Sequence, residues 1–457
     1  MLHSLVQYFT LCINDLQPIA WHTRRTGELD KTEMNMALGD PSLATFAAPV
    51  HGRLELASAF QPIFSPAHRR AVGYEGLIRA RDKRGRIVPP LELFSEVPAG
   101  ETRILLDRQC RSLHVSNFMS MGDERSWLFL NVDPYVAIEG RNYGSFFSGM
   151  LRASGLSPHR VAVELIESPL ADEGRLAAAM EYYRELGCVI VLDDFGAGHS
   201  NFDRIWRLNP DIVKIDREMT RRVTVEPLAR RMFSGIVSVL HEAGALVCVE
   251  GIETEDEALC ATDANADLVQ GHYFASPAAT LPAEDVCRDT FTHLFSGFRA
   301  EMLEAQARRE ARLDPYLEAL RQAGRALAAG DGHGAAATLL LALPCTQRCY
   351  LIAADGAQRG DNIESEHNAS ARDPRLEPMR PTAGTNWQNK PYFRRAMAVP
   401  GSVQVTRPYL SVTGPKLCVT LSVACEAEGA LFVLCADLDF TALAGEDLAF
   451  GPARPAS

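Results

Sequence analysis

Eight widely separated side chains could carry chemistry together: Glu75, Asn131, Glu164, Asp193, Asp194, Lys214, Glu250 and Gln270. Five are carboxylates, two are amides and one is a lysine, and most of them end a short apolar run. Carboxylate and amide oxygens are hard donors of the kind that hold small divalent cations. Crowded carboxylates repel one another, so such a set calls for positive charge at its centre. These residues can meet only if the fold brings the ends of several distant segments to one place.

The apolar runs supply that fold. Ser126-Trp-Leu-Phe-Leu, Val161-Ala-Val and Cys188-Val-Ile-Val-Leu are continuous rather than alternating, the pattern of strands buried on both faces. Successive runs are separated by roughly 20 to 55 residues, room for a crossover helix and its loops. The fold class expected is therefore α/β, a TIM-like (βα)8 barrel, whose strand ends converge on one mouth where distant residues can ligate one ion. Each position also has an ordinary reading. Asp193 and Asp194 could cap a helix, Lys214 could pair with a carboxylate, Asn131 could shape a turn, and Arg79 could be solvated.

At the motif level the chain resembles the EAL-domain family, phosphodiesterases of the bacterial messenger cyclic di-GMP, over residues 52–282. The resemblance rests on Glu75-Gly-Leu-Ile-Arg79, Leu130-Asn-Val-Asp-Pro134, Val163-Glu-Leu-Ile-Glu167, Asp193-Asp-Phe-Gly-Ala-Gly198, Val213-Lys-Ile-Asp216, Val249-Glu-Gly-Ile-Glu-Thr254 and Val269-Gln-Gly-His-Tyr-Phe274, in that order. It implies that Glu75, Asn131, Glu164 and Asp193 bind a first Mg²⁺ or Mn²⁺ and that Asp193 with Asp194 helps hold a second. Two such ions can clamp a phosphodiester and activate water. Lys214 matches the lysine beside the nucleophilic water, and Glu250 matches the candidate general base. Gln270 closes the shell. Arg79, four residues past Glu75 and read as one helical turn away, matches a phosphate-binding arginine. Glu167 and Glu253 match supports of the loop Phe195–Ser200, which the resemblance makes a mobile link to dimer contacts. His114, His199, His241 and His272 are expected to lie outside the ligand set.

One departure stands out. Gly76 occupies the position where the family name calls for alanine, and glycine loosens the backbone beside Glu75. The expectation is retained activity with weaker metal affinity, and that Gly76→Ala leaves turnover equal or higher.

With 457 residues and 47% hydrophobic content, the chain can build a large core and a smaller one. A formal net charge of -12 argues against a general binder of DNA backbone. The 11 cysteines include no CxxC pair, so zinc and a disulfide framework are not indicated. No apolar stretch approaches the roughly 20 residues that span a bilayer. No membrane partner and a cytoplasmic location are expected. Residues 1–48 read as a loosely ordered leader without regular period. The segment 284–343, rich in Ala, Arg, Glu and Leu, reads as a helical connector, two helices in series up to Ala329 with Pro315 between them.

The segment 345–457 is expected to be a small antiparallel α+β domain. It resembles Cache or PAS-like sensor domains through Trp387-Gln-Asn-Lys-Pro-Tyr-Phe393, Arg407-Pro-Tyr-Leu-Ser411, Leu417–Val423 and Leu431–Asp439, with an unidentified small molecule as its ligand. A small sheet domain that only dimerises is the alternative. The functional expectation is a homodimeric enzyme that linearises cyclic di-GMP to pGpG under control of that domain. Other readings are a catalytically silent receptor for the same nucleotide, or an interaction protein. No Gly-Gly-Asp-Glu-Phe segment of the usual synthase partner occurs.

Overall fold

The computed structural model describes residues 44–48, 52–139, 145–165, 173–197, 202–283, 285–366, 378–411, 416–427 and 429–444. Two compact units divide the chain, one running to Phe298 and the other starting at Arg299.

The first unit is built on strands β1 (Ala44–Ala48), β2 (Gly52–Ser65), β3 (Arg70–Asp82), β4 (Ile87–Val88), β5 (Trp127–Val132), β6 (Val161–Leu165), β7 (Val189–Phe195), β8 (Ile212–Ile215), β9 (Leu246–Val249) and β10 (Leu268–Val269). Their order is β1-β2-β10-β9-β8-β7-β6-β5-β3-β4, and a further β2–β3 pairing closes eight of them into a barrel. From β3 through β5 to β10 each neighbour is parallel. β2 is antiparallel to both β3 and β10, which departs from eight repeated βα units. The cause is local. Only Pro66–Arg69 separate β2 from β3, with Arg69 at φ 53 and its amide donating to the Ser65 carbonyl at 2.8 Å. So short a link holds no crossover helix, so the strands must run antiparallel. β1 pairs with β2, so regular structure begins inside the segment read as a leader. Residues 1–43 lie outside the described residues.

The continuous apolar runs are explained by burial on two sides. Ile63, Phe129, Ala162, Val191, Ile212, Cys248 and Leu268 form one cluster, and alternate residues such as Val163, Ile190, Leu192, Val213 and Val247 join another that includes helix residues Met180, Phe233 and Leu240. Gly73 makes room for the first cluster, because a Cβ there would stand 2.5 Å from Phe129 Cε2.

In the second unit, β11 (Thr346–Ala353), β12 (Gln358–Glu364), β13 (Gln404–Val405), β14 (Tyr409–Leu410), β15 (Leu417–Ala427) and β16 (Ala430–Asp439) form an antiparallel sheet in the order β12-β11-β16-β15-β13, with β14 also on β15. Its faces alternate cleanly. Cys349, Leu351, Leu434 and Ala436 pack with Leu313, Tyr316, Leu320, Leu327 and Leu340, while Tyr350, Ile352, Val433 and Cys435 pack with Tyr392 and Phe393. The helix Arg288–Ala328 runs through Pro315 as one element, where two had been expected. The stripe Leu313, Tyr316, Leu320, Ala323 and Leu327 keeps helical spacing across the proline, and its burial offsets the missing backbone hydrogen bond. The later part of the expected connector therefore contributes core to the second unit. Among the described residues no helix is long and apolar enough to cross a membrane.

Candidate functional site

Side chains two apart on a strand share a face. Asn131, Glu164, Asp193, Lys214, Glu250 and Gln270 each stand two positions beyond a member of the cluster that holds Phe129, Ala162, Val191, Ile212, Cys248 and Leu268. They form the next tier of the barrel interior, at the carboxyl ends of the parallel strands. Glu75 joins them from β3, two beyond Gly73.

Lys214 is fully buried at the centre of this tier. Its Nζ lies 2.7 Å from Glu164 Oε1, 3.3 Å from Glu75 Oε2 and 3.6 Å from Asp193 Oδ1, and it also contacts Glu250 Oε1. Asn131 Nδ2 donates to Glu75 Oε1 at 2.9 Å, and Gln270 Nε2 donates to Glu75 Oε2 at 2.8 Å. Gln270 Nε2 also donates to Gln61 Oε1 at 3.2 Å. Gln61 went unnoticed in the sequence. The signal was a lone amide inside the apolar run Ala59 to Phe64, directly opposite Glu75 in the β2–β3 register.

The electrostatics are unbalanced. Four buried or half-buried carboxylates surround one ammonium. Burial would raise Glu75, but the Lys214 charge and the hydrogen bonds from Gln270 and Asn131 outweigh it and hold this carboxyl below its ordinary range. Burial pushes Glu164 well above its ordinary range, Glu75 and Asp193 push the same way, and Lys214 only partly opposes them. Burial disfavours charged Lys214, yet Asp193, Glu164 and Glu75 hold its ammonium well above the usual value. Among the described residues, Glu164 Oε2 has no hydrogen-bond partner, and the Lys214 ammonium lies beside Oε1. No group of three or more His, Cys, Asp or Glu side chains already converges in metal-ligand geometry among the described residues. Lys214 sits between the carboxylates instead. The donor set nevertheless fits a hard divalent cation, since its oxygens are buried, excessively negative and in part without a donor.

Asp194 stands beside this tier. β7 slips register between Leu192 and Phe195, and Asp194 takes φ 57 there, a left-handed conformation that Asp tolerates in a bulge. Asp193 is buried inside the barrel and Asp194 is half-buried.

Arg79 lies on β3, not one helical turn from Glu75. Four residues along a strand keep it on the Glu75 face but roughly 13 Å further along. The guanidinium is buried, 8% exposed, and its hydrogen bond is to the Ile78 carbonyl at 3.1 Å. It pairs with no carboxylate among the described residues. Glu253 is paired with Arg217 at 2.7 Å, away from Lys214, and Glu167 lies outside the described residues together with Gly198 to Ser200.

A model of the EAL domain matches residues 49–277. The chain belongs to the EAL domain family. It is similar to the uncharacterized EAL-domain containing protein YkuI of Bacillus subtilis, at 25% identity over 346 residues, 73% of this chain and 82% of that protein. It is also similar to the cyclic di-GMP phosphodiesterase RocR of Pseudomonas aeruginosa, at 28% identity over 163 residues, 35% of this chain and 41% of RocR. The crystal structure of YkuI, in complex with substrate c-di-GMP and calcium, shares the fold with a TM-score of 0.72 and 22% identity, over 84% of this chain and 96% of that one. The EAL match covers the whole barrel tier from Glu75 to Gln270.

Proposed function

We propose that this chain is a metal-dependent phosphodiesterase that opens cyclic di-GMP to linear pGpG in the bacterial cytoplasm. The observation that carries the reading is the buried tier in which Glu75, Glu164, Asp193 and Glu250 outnumber Lys214, with the guanidinium of Arg79, which meets no carboxylate among the described residues, further along the same strand face. RocR and YkuI, one a cyclic di-GMP phosphodiesterase and the other crystallised with that nucleotide and calcium, support the substrate class. Glu75, Asn131, Glu164 and Asp193 would hold Mg²⁺ or Mn²⁺, and Asp194 with Asp193 would hold a second ion. Such ions supply Lewis-acid charge for a phosphodiester and make water more acidic.

The chain's own residues do the rest. Gln270 and Asn131 fix the Glu75 carboxylate through its two oxygens. Lys214, held charged by its carboxylates, orients the attacking water as a point charge. Glu250, 16% exposed at its side chain, reaches from the buried tier toward solvent and receives the proton. Arg79 offers a bidentate fork to a phosphate. Glu253 and Glu167 support the loop after Asp194.

The domain reading is a barrel over 52–282 and a Cache/PAS-like sensor over 345–457, to whose core the later part of the helical segment 284–343 contributes. Tyr350, Trp387, Lys390, Tyr392 and Asp437 line a small cleft in this unit, the place where such a ligand would bind. Exposed Trp206 at 76%, Leu228 at 59% and Met232 at 53% on barrel helices support a homodimer.

The test is incubation of the full-length protein with cyclic di-GMP and Mg²⁺ or Mn²⁺, following pGpG by chromatography, with a parallel binding titration in Ca²⁺. Metal-dependent pGpG upholds the enzyme. Binding without product in any metal replaces it with a receptor, and neither binding nor product overturns the nucleotide assignment.

A further inference from the structure

Gly76 faces away from the barrel interior, toward helix Glu101–Ser120. A Cβ built on it would stand 2.9 Å from His114 Cγ, 3.1 Å from His114 Cβ and 3.2 Å from Cδ2. The obstacle is the root of the histidine side chain, which cannot swing aside as a flexible tip could. His114 is also pinned. It is 4% exposed, its Nδ1 hydrogen-bonds Ser58 Oγ at 2.8 Å, and Asn117 Nδ2 donates to the same hydroxyl at 3.1 Å. Its ring meets Phe60 edge-on, and Phe60 is the register partner of Gly76 on β2. The imidazole therefore occupies the space that an alanine methyl would fill, directly behind the residue that follows Glu75.

We infer that His114 is a positioning residue for Glu75 and that Gly76 and His114 are a compensating pair: the ring, not a methyl, sets the distance between the helix and β3 and thereby where Glu75 points. This rests on the metal-centre reading above. It reverses the expectation that Gly76→Ala is harmless. The methyl must push β3 off the helix or displace His114, and Glu75 lies one peptide away from either movement. Packed interiors do not absorb an added methyl without shifts.

The experiment is a double-mutant cycle in the full-length protein, with wild type, Gly76→Ala, His114→Ala and the double variant. Mn²⁺ affinity is measured by titration calorimetry and metal-free melting is followed by circular dichroism. Gly76→Ala is expected to weaken Mn²⁺ about tenfold, and His114→Ala in that background to recover most of the loss, because removing the ring takes away Cγ and Cδ2 and leaves only Cβ, 3.1 Å from the methyl, to give by a few tenths of an ångström. Unchanged Mn²⁺ affinity in Gly76→Ala, or a double variant as weak as the product of the single losses, overturns the pair. If Gly76→Ala does not fold alone, the double variant decides: a folded protein with near wild-type affinity upholds the compensation, and loss of both overturns it. Failure of the wild type to bind Mn²⁺ overturns the metal-centre reading instead. The melting cycle then judges the contact by itself, coupled melting temperatures upholding the packed pair and additive ones refuting it.

Discussion

Glu164 concentrates the energetic tension of the site. It is fully buried, its Oε2 has no hydrogen-bond partner among the described residues, and its carboxyl is pushed well above the ordinary range by burial and by Glu75 and Asp193. Removing that charge relieves repulsion without emptying the space, since an amide has the same shape. Glu164→Gln is expected to raise the melting temperature of the metal-free protein, because a carboxyl pushed above its ordinary range destabilises the fold when ionised. The same change should abolish stabilisation by Mn²⁺, which for wild type at a hundredfold excess over Kd is about 2.7 kcal/mol. Thermal melts with EDTA and with Mn²⁺ check both halves. A variant less stable in EDTA, or still raised by Mn²⁺, contradicts the account. Turnover gives the complementary test at Glu75 and Asp194: Glu75→Ala and Asp194→Asn should each show no pGpG under saturating Mn²⁺. The tier was legible because chemistry-bearing types interrupt apolar runs at the strand ends. Gln61 and His114 were not, since an amide inside an apolar run and a histidine in a helix show their partners only once β2 and the helix are laid against β3.

At the scale of elements, the same four-residue spacing places Glu75 and Arg79 on one face of either a helix or a strand, so the spacing could not tell the two apart. Strand direction was equally silent for β2, whose apolar run fits a parallel or an antiparallel neighbour. Only the four-residue link to β3 decides it. Close packing on β3 yields two predictions. Gly73→Ala drives a methyl into Phe129, which is fully buried, and should cost about 1 to 3 kcal/mol in urea unfolding, partly recovered by Phe129→Leu. The second concerns His114, whose burial, with Arg79 nearby, depresses its pKa to about 3 from an ordinary 6.5. Between those values the unfolded chain binds a proton that the folded one refuses. Stability is therefore lost as pH falls from about 6.5 toward 3. His114→Phe keeps a ring but has no proton to exchange, so its stability relative to wild type should improve between pH 7 and pH 5. A difference that does not change with pH would refute a buried neutral imidazole.

For the whole molecule, the question is where the chain can be divided. Composition placed the connector before residue 345, because Ala- and Arg-rich helices look alike whether they link domains or belong to one. The packing places Leu313, Tyr316, Leu320, Leu327 and Leu340 against Leu351, Leu421 and Leu434 of the second unit's sheet, and the compact units part at Phe298. A chain ending at Leu343 thus keeps an apolar helical stripe and loses the sheet that covers it. It should self-associate or precipitate, whereas a chain ending at Phe298 keeps a closed barrel core and should remain monodisperse at the same concentration. Light scattering on the two truncations decides this. A well-behaved chain ending at Leu343 beside an aggregating one ending at Phe298 would move the boundary back to the connector. The outcome also governs how the proposed control by the second unit is tested. Turnover of the chain ending at Phe298, compared with full length, isolates the sheet domain's effect, while removal of residues 345–457 alone would confuse lost regulation with an exposed core.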